Sequence, residues 1–291
     1  MDTNPPFEPT RVADLFGPGA QPLSFEMFPP KGELSEEEAV RVTTALAGLG
    51  PAFVSVTCSA GGSGNGEATT RIAAMVQDDR RTTAVAHLTC QGLTRGLFER
   101  KVAEFKAAGI KNVLALRGDP RPDLGPGDFS SSVALIGALV EEGFCVGAAA
   151  YPEGHISCAS LDEDVAFLRT KQDAGASFLV TQLFFDNEDF YRFRDMAAKA
   201  GVSVPVTCGI MPFMSKSQVS RMIFMCGASL PSPIIRLLAK YEGDDGALRQ
   251  AGIDYAAAQL RDLRDNEADG LHVYAMNRPE VARQLAAAVR S

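Results

Sequence analysis

A single carboxylate lies within an apolar stretch near the start of the chain, where it could serve as an acid. Glu26 is flanked by Phe25 and Met27, and the prolines at 29–30 follow almost directly. A carboxyl group that loses hydration is favoured in its protonated form, so Glu26 could donate a proton as a general acid. The alternative is a half-solvated structural residue at the end of a strand. The stretch alone does not decide between the two.

Polar residues recur at the ends of further apolar stretches, as they would at the rim of one large pocket. They are Thr57, His87, Arg117 with Asp119, Tyr151 with His155, Gln182, and Tyr274 with Arg278. Each has a structural alternative: His87 could be a hydrogen-bonded core residue, and Arg117 with Asp119 could be a solvated ion pair. Gln182 is harder to explain in this way, because a buried amide needs partners. The shared position favours a polar pocket.

The residue types around this pocket indicate a nucleotide-type ligand. Arg117, the glycine-rich loop at 59–66 and Lys171 could hold phosphate groups or ring carbonyls. Tyr151 and Tyr274 could stack on flat rings. Composition and spacing go no further than planar heterocycles joined to phosphate.

Eight strand-like stretches alternate with helical segments along the whole chain and would position these residues. The predicted strands are 23–28, 53–58, 83–90, 112–116, 145–150, 178–185, 204–210 and 270–276. Such alternation implies parallel strands with right-handed helical crossovers. The count and length predict an α/β fold, a single (β/α)8 TIM barrel with its site at the carboxyl ends of the strands. An open doubly wound sheet is the alternative, but no G-x-G-x-x-G turn follows the first strand. We expect an N-terminal arm at 1–20 and the barrel at 21–291.

Composition excludes several classes of protein. The chain has 291 residues, 46% of them hydrophobic, and a formal net charge of -8, which argues against binding to nucleic acid or to anionic membranes. It contains neither an apolar run long enough to span a membrane nor the features of a signal peptide. The six cysteines include no C-x-x-C pair, and the three histidines lack metal-ligand spacing. We therefore expect a cytoplasmic protein without a metal site.

An ordered series of motifs from about residue 21 to 286 resembles the methylenetetrahydrofolate reductase family. The motifs are SFEMFPPK (24–31), VSVT (54–57), AGGS (60–63), HLTC (87–90), LALRGD (114–119), YPEGH (151–155), KQDAGA (171–176), TQLFFD (181–186), GIMP (209–212) and HVYAMNR (272–278). The resemblance implies a flavoprotein barrel that reduces 5,10-methylenetetrahydrofolate to 5-methyltetrahydrofolate, in one-carbon metabolism and methionine supply. It implies FAD as cofactor, with FMN as the lesser alternative, and NADH or NADPH as electron donor in a ping-pong scheme.

The resemblance also implies roles for particular residues. The expected flavin contacts are Thr57, Cys58, Ala60, His87, Arg117, Gly118, Asp119, Tyr151, His155, Asp164 and Lys171. The expected folate contacts are Glu26, Asp119, Gln182, Gln218, Tyr274 and Arg278. Glu26 would donate the proton that opens the imidazolidine ring of the folate. Asp119 would stabilise the developing positive charge, and Gln182 would orient the pterin.

Four positions depart from the pattern of the better-known bacterial members. Phe167 and Thr170 replace an Asn and an Arg near the adenine end of the flavin, Met222 replaces a Phe, and Cys58 replaces a Tyr. The first two changes predict a weaker grip on the AMP half of FAD. Because no regulatory domain of the animal type follows the barrel, we expect no inhibition by S-adenosylmethionine.

Two other functions stay open at this point. One is a pterin-binding methyltransferase barrel that needs no flavin. The other is a reductase subunit that receives electrons from an electron-donor protein partner, since the chain has no cysteine cluster for an iron–sulfur centre of its own. The resemblance also implies a homo-oligomer.

Overall fold

Eight parallel strands close into a barrel in the computed structural model, and they follow one another in chain order around it. The structure describes residues 7–29, 35–58, 66–78, 80–119, 125 and 127–291. The strands are β1 (Leu23–Met27), β2 (Phe53–Val56), β3 (Ala84–Thr89), β4 (Asn112–Leu116), β5 (Cys145–Ala150), β6 (Phe178–Thr181), β7 (Val206–Ile210) and β8 (Gly270–Tyr274). The barrel closes because β1 pairs with both β2 and β8. The predicted single (β/α)8 barrel is confirmed.

Helices separate the strands and form the outer layer. Those in the described residues are α1 (Glu36–Ala47), α2 (Gly66–Asp78), α3 (Arg95–Ala107), α4 (Ser132–Glu141), α5 (Leu161–Asp173), α6 (Asn187–Lys199), α7 (Lys216–Cys226), α8 (Ser232–Lys240), α9 (Asp245–Asp265) and α10 (Pro279–Arg290). Ser160 and Ser215 accept a backbone N–H of the first turn of α5 and α7, respectively. Such caps determine where each helix begins and so how far each loop reaches over the barrel.

Strand side chains alternate between the barrel interior and the layer beneath the helices. The outward side chains, such as Phe25 and Val54, belong to the main apolar core with the helices. The inward side chains of the lower barrel, such as Phe53, Val85 and Phe178, form a separate apolar cluster. Residues two apart in a strand therefore share a face. Where two such residues near the carboxyl end of a strand are polar, both side chains face the barrel interior.

The N-terminal segment closes the opposite, amino-terminal end of the barrel. A 3₁₀ turn at Val12–Leu15 buries Val12 completely in the interior apolar cluster, next to Phe53. The backbone N–H of Val12 donates to Asn112 Oδ1 at 2.8 Å, and Asn112 Nδ2 donates to the carbonyl of Thr10 at 3.0 Å. This part of the segment expected as an arm thus packs against the barrel, and a ligand has to enter from the other end.

The prediction of one strand over 178–185 is wrong in its second half, because β6 ends at Thr181. Leu183 and Phe185 are buried in a further apolar cluster that includes Met211 and Phe213. The apolar run continues past the strand because the loop packs under α7 and α8, and an apolar run by itself does not distinguish a strand from a buried loop. Similarly, the strand predicted to reach residue 276 ends at Tyr274, since Met276 and Asn277 have left-handed backbone conformations.

Candidate active site

Three titratable side chains meet inside the carboxyl end of the barrel. Glu26 is the fourth residue of β1, and its side chain is 20% exposed. Its Oε2 atom lies 3.7 Å from Nε2 of His87, on β3, and 3.9 Å from Nε2 of His272, on β8. Two imidazole nitrogens therefore converge on one carboxyl oxygen, at distances slightly beyond a hydrogen bond.

His87 is almost completely buried beside this carboxyl. Burial lowers the pKa of His87 to about 4, against the opposing effect of Glu26 and with a smaller lowering by His272. Its Nε2 atom has no hydrogen-bond partner among the residues that the structure describes. A buried polar atom without a partner, beside a partly exposed carboxyl, is where a ligand group would be expected to bind.

His272 is held more firmly from below. Its Nδ1 atom lies 2.7 Å from the hydroxyl of Ser24, and its Nε2 atom lies 3.3 Å from the hydroxyl of Ser55. The ring stacks on Phe53, with centroids 6.0 Å apart. Its position relative to Glu26 is therefore determined by neighbours on two strands, β1 and β2.

Tyr274 borders the same space. Its hydroxyl donates to the backbone carbonyl of Thr181 at 2.5 Å, and its ring meets His272 edge-on at 5.2 Å. Burial raises the pKa of Tyr274 well above its usual value, with Glu26 adding to the effect. Gly209 makes room for this ring, because a Cβ atom there would lie 2.5 Å from Tyr274 Cε2.

A cavity of about 100 Å³ opens between β4, β5 and α5 and collects five of the residues predicted to bind flavin. They are Arg117, Tyr151, His155, Asp164 and Lys171. Ser157 and Phe167 line it as well. Guanidinium, ammonium and hydroxyl donors here face aromatic rings, which is a donor set suited to phosphate groups joined to a heterocycle.

Lys171 is the buried cation of this cavity. Its Nζ atom donates to the carbonyl of Ala149 at 2.7 Å and lies over the rings of Phe167 and Tyr151, 5.3 and 5.6 Å from their centroids. Burial lowers the pKa of Lys171 to about 8, although Asp164 acts in the opposite direction. An ammonium has three donors, so Lys171 retains capacity for an anionic ligand.

The loop after β5 is held against α5 and β4. The backbone N–H of His155 donates to Asp164 Oδ2 at 3.1 Å, and Arg117 Nη1 donates to the Ser157 hydroxyl at 3.1 Å. His155 Nδ1 accepts the backbone N–H of Ser157 at 3.0 Å, and the pKa of His155 is lowered by burial and by Arg117. Burial raises the pKa of Tyr151 to about 12. These contacts place the predicted residues around one cavity.

Thr57, Cys58 and Gly118 lie at the ends of β2 and β4, as predicted. The backbone N–H of Thr57 donates to the carbonyl of Met27, which joins the end of β2 to β1 beside Glu26. Burial raises the pKa of Cys58. Gly118 has a φ of +82°, and a Cβ atom there would lie 3.0 Å from that of Thr89. Ala60 and Lys31 lie outside the described residues.

The structure places the predicted folate contacts at the same end, with differing side-chain environments. Asp119 and Arg278 are exposed, in the loop after β4 and just before α10. Gln182 follows β6, and its Oε1 atom accepts the backbone N–H of Leu183 at 2.9 Å. Gln218 is buried in α7, where its Oε1 atom accepts the backbone N–H of Met214 at 2.7 Å. Gln218 thus already has a structural partner, whereas Asp119 and Arg278 face solvent.

Electrostatic effects connect the residues around Glu26 with those around the β4–β5–α5 cavity. Besides burial, Tyr151 and Cys226 add to the raised pKa of Tyr274, and Asp119 adds to the raised pKa of Tyr151 and of Cys226, the latter to about 11. Cys226, at the end of α7, packs against the same apolar cluster as Tyr274. The sequence analysis did not identify it.

A chemical signal for Ser24, Ser55 and His272 was present in the sequence but was not used. Each stands two residues before a predicted site residue in the same predicted strand, namely before Glu26, Thr57 and Tyr274. The period of two therefore assigns both members of each pair to the barrel interior.

Comparison with known proteins agrees with this geometry. The chain matches the sequence model of the family described as methylenetetrahydrofolate reductase over residues 11–289. It belongs to this family. The predicted family is thus confirmed.

Two curated relatives illustrate the extent of the similarity. Methylenetetrahydrofolate reductase 2 of Schizosaccharomyces pombe is 34% identical over 268 residues, which covers 86% of this chain and 42% of that protein. The 5,10-methylenetetrahydrofolate reductase of Salmonella typhimurium is 32% identical over 261 residues, which covers 89% of this chain and 88% of that protein. The chain therefore spans less than half of the fungal protein and most of the bacterial one.

A solved structure shares the fold. It is described as an uncharacterized protein from Clostridium thermocellum that binds two copies of 5-methyl-5,6,7,8-tetrahydrofolic acid. The match has a TM-score of 0.65, 13% identity, and coverage of 92% of this chain and 93% of that one. At this identity the likeness shows the fold alone.

Two further features of the described residues bear on the site. A more open cleft of about 260 Å³ lies outside the barrel between α6 and α9, and none of the predicted site residues line it. Among all the residues that the structure describes, no helix has the length and apolar character that crossing a membrane requires.

Proposed function

We propose that this protein reduces 5,10-methylenetetrahydrofolate to 5-methyltetrahydrofolate, with a bound flavin that carries hydride from NADH or NADPH. The position of Glu26 carries the proposal. Its carboxyl lies at the open end of the barrel, 20% exposed, with two imidazole nitrogens within 4 Å. The cavity with Arg117 and Lys171 lies at the same end. The names of the relatives support the same reaction.

Glu26 acts as the general acid in this proposal. Its proton passes to the ring nitrogen that leaves, and the bond from that nitrogen to the bridging carbon breaks with its electron pair going to the nitrogen. The carbon stays on N5 as an iminium cation, ready to receive a hydride. An acid positioned in this way contributes on the order of 10²–10⁴ to the rate.

The other polar residues at the rim bind and orient the folate. Asp119 stabilises the iminium charge electrostatically, because a fixed carboxylate needs little reorganisation as the charge develops. Gln182 orients the pterin, with Gln218, Tyr274 and Arg278 as further contacts. Gln218 Oε1 accepts the backbone N–H of Met214, and Gln218 Nε2 donates to Met211 Sδ at 3.7 Å, which supports a positioning role and leaves one amide N–H for the ligand.

The donor set of the β4–β5–α5 cavity fits a flavin nucleotide. Arg117, Ser157 and the free donors of Lys171 would bind the phosphates, and the ring of Tyr151 would flank the heterocycle. The remaining contacts would come from Thr57, Cys58, Ala60, His87, Gly118, Asp119, His155 and Asp164. When bound, the flavin would supply hydride transfer.

Phe167 and Thr170 determine which flavin is held best. Phe167 lines the cavity and packs its ring against Lys171, which supports stacking on a heterocycle rather than a charged contact to it. Without the arginine of other bacterial members, the AMP half of FAD has one charged contact fewer. We therefore propose FAD with a modest affinity for its AMP half, and FMN as the alternative.

A visible absorption spectrum of the purified protein tests the proposal. A yellow protein that anaerobic NADH or NADPH bleaches, and that 5,10-methylenetetrahydrofolate recolours, would support both half-reactions. A colourless protein that does not take up added FAD or FMN would refute the flavin and favour a pterin-binding methyltransferase. A yellow protein that neither nicotinamide nucleotide reduces would favour an electron-donor protein partner.

A further inference from the structure

The polar residues directly beneath Glu26 form a group that binds no expected ligand. We call Ser24, Ser55 and His272 the inner polar layer. They are 0, 2 and 0% exposed, so none of them can reach a substrate. Their hydrogen bonds are nevertheless made to one another and to the strand backbone.

The hydrogen bonds of the Ser24 hydroxyl indicate which nitrogen of His272 carries the proton. The Ser24 hydroxyl donates to the backbone carbonyl of Leu271 at 3.1 Å. A hydroxyl has a single proton, so towards His272 Nδ1, at 2.7 Å, the same oxygen accepts. With the Ser24 hydroxyl donating to Leu271, Nδ1 carries the proton, and Nε2 presents a lone pair.

Two oxygens lie near this lone pair. His272 Nε2 is 3.3 Å from the Ser55 hydroxyl and 3.9 Å from Glu26 Oε2, so the carboxylic acid of Glu26 competes with Ser55 for a single acceptor. Oε2 has to move by about 1 Å to come within hydrogen-bond distance. An acceptor at this place binds the protonated carboxyl and repels the ionised one.

We propose that His272, locked as the Nδ1–H tautomer by Ser24, is a positioning residue that accepts a hydrogen bond from the carboxylic acid of Glu26. This inference rests on the proposed function. This hydrogen bond holds the Glu26 carboxyl in place before the folate binds. Proton donation to the folate then breaks this hydrogen bond, and the carboxylate regains its proton from solvent through the open end of the barrel.

The other titratable groups that face Glu26 are compatible with this arrangement. His87, on β3, has a pKa of about 4 because of burial, so it is neutral beside the carboxyl. Tyr274, on β8, has its hydroxyl bound to the carbonyl of Thr181 and a pKa well above its usual value because of burial. Among the described residues, no Lys or Arg side chain lies within ion-pair distance of the Glu26 carboxyl.

Nitrogen-15 NMR of the histidine-labelled protein tests the tautomer directly. The chain has three histidines, so a His272→Asn variant identifies the signals of His272 by their loss. The expected spectrum of the flavin-loaded protein at neutral pH has a protonated Nδ1 and an unprotonated Nε2 for this residue. A protonated Nε2 would overturn the proposal, as would no change of tautomer in a Ser24→Ala variant.

Two substitutions separate positioning from packing. In His272→Asn the amide reaches Ser24 but not Glu26, whereas the longer side chain of His272→Gln can present an acceptor near the place of Nε2. We expect His272→Asn to slow reoxidation of the reduced flavin by the folate about tenfold, with a shifted pH profile, and His272→Gln to retain most of the rate. Equal losses in both variants would contradict the positioning role.

Reduction of the flavin by NADH or NADPH provides the control. It involves no acid, so both variants should keep the rate of the parent protein within about twofold. If the parent protein itself fails to reduce its flavin or the folate, the proposed function fails, while the NMR result still decides the tautomer.

Discussion

Replacement of Gly209 by alanine tests whether the position of Tyr274 is set by close packing. A Cβ atom at residue 209 would lie 2.5 Å from Tyr274 Cε2, 2.6 Å from the Tyr274 hydroxyl and 2.5 Å from the carbonyl of Thr181. These distances are shorter than any van der Waals contact, so the ring and a strand backbone must both move. Overpacking of this kind costs about 1–3 kcal/mol, and loss of the hydrogen bond from Tyr274 to Thr181 adds about 1 kcal/mol.

Gly137→Ala is the matched control, because a Cβ atom at residue 137 would meet nothing within 4 Å. Gly137 lies inside α4, where alanine is favoured over glycine by roughly 1 kcal/mol. Urea unfolding followed by circular dichroism should therefore show a free energy of unfolding about 2–4 kcal/mol lower in Gly209→Ala, and slightly higher in Gly137→Ala.

The same variant reports on the site. A displaced Tyr274 should weaken folate binding, seen as a raised KM for 5,10-methylenetetrahydrofolate, and should leave reduction of the flavin nearly unchanged. If Gly209→Ala unfolds at the same urea concentration as the parent protein and keeps its KM, the close packing around Tyr274 does not control the site.

Three further predictions concern single side chains. Glu26→Gln should slow reduction of the folate about 10²-fold or more and leave reduction of the flavin intact in stopped-flow absorbance, and equal losses in both steps would contradict the acid role. Because burial lowers the pKa of Lys171 to about 8 from an ordinary value near 10.5, the folded state binds fewer protons than the unfolded state between these values. Relative to Lys171→Met, the free energy of unfolding of the parent protein should therefore rise by up to about 3 kcal/mol as the pH is raised from about 8 to 10.5. The gain should disappear when the pH is lowered back to about 8, and urea titrations at each pH measure it. Asn277→Ala should lower the free energy of unfolding by about 2 kcal/mol, since Asn277 exchanges two hydrogen bonds with the backbone of Phe28. Asn277→Asp should lose at least as much in the same urea titration, because its second oxygen would face the Phe28 carbonyl, which an amide N–H contacts at 2.7 Å in the parent protein.

The barrel could be predicted from the sequence because its signals are local and repeated. The predicted limits of β4 at 112–116 and of β5 at 145–150 agree with the structure, since each run ends at a polar or aromatic residue. The second half of the strand predicted over 178–185 failed for a tertiary reason. Leu183 and Phe185 are apolar because a loop buries them under α7 and α8, and no local pattern distinguishes that burial from a strand.

The residues around the β4–β5–α5 cavity could be predicted from the sequence, whereas the neighbours of Glu26 inside the barrel could not. Arg117, Tyr151 and Lys171 follow recognisable motifs, and the structure brings them around one cavity. The environment of Glu26 was predicted from Phe25 and Met27, yet these side chains alternate away from it and belong to the main apolar core. Its actual neighbours come from β3 and β8, so only the closed barrel brings them together.

The inner polar layer and the layer directly above it, which contains Glu26 and His87, differ in how many of their polar groups have hydrogen-bond partners. This difference has a physical meaning. In the inner polar layer the donors and acceptors of Ser24 and His272 have partners, although both residues are fully buried. In the layer above, His87 Nε2 has no partner in the described residues, and the carboxyl of Glu26 stands beyond hydrogen-bond distance of both imidazoles. An unsatisfied buried group costs about 1–3 kcal/mol, which the main apolar core between strands and helices can offset. The unsatisfied layer is therefore the part of the barrel that a ligand would complete, and the satisfied layer beneath it supplies His272, the proposed positioning residue for the acid.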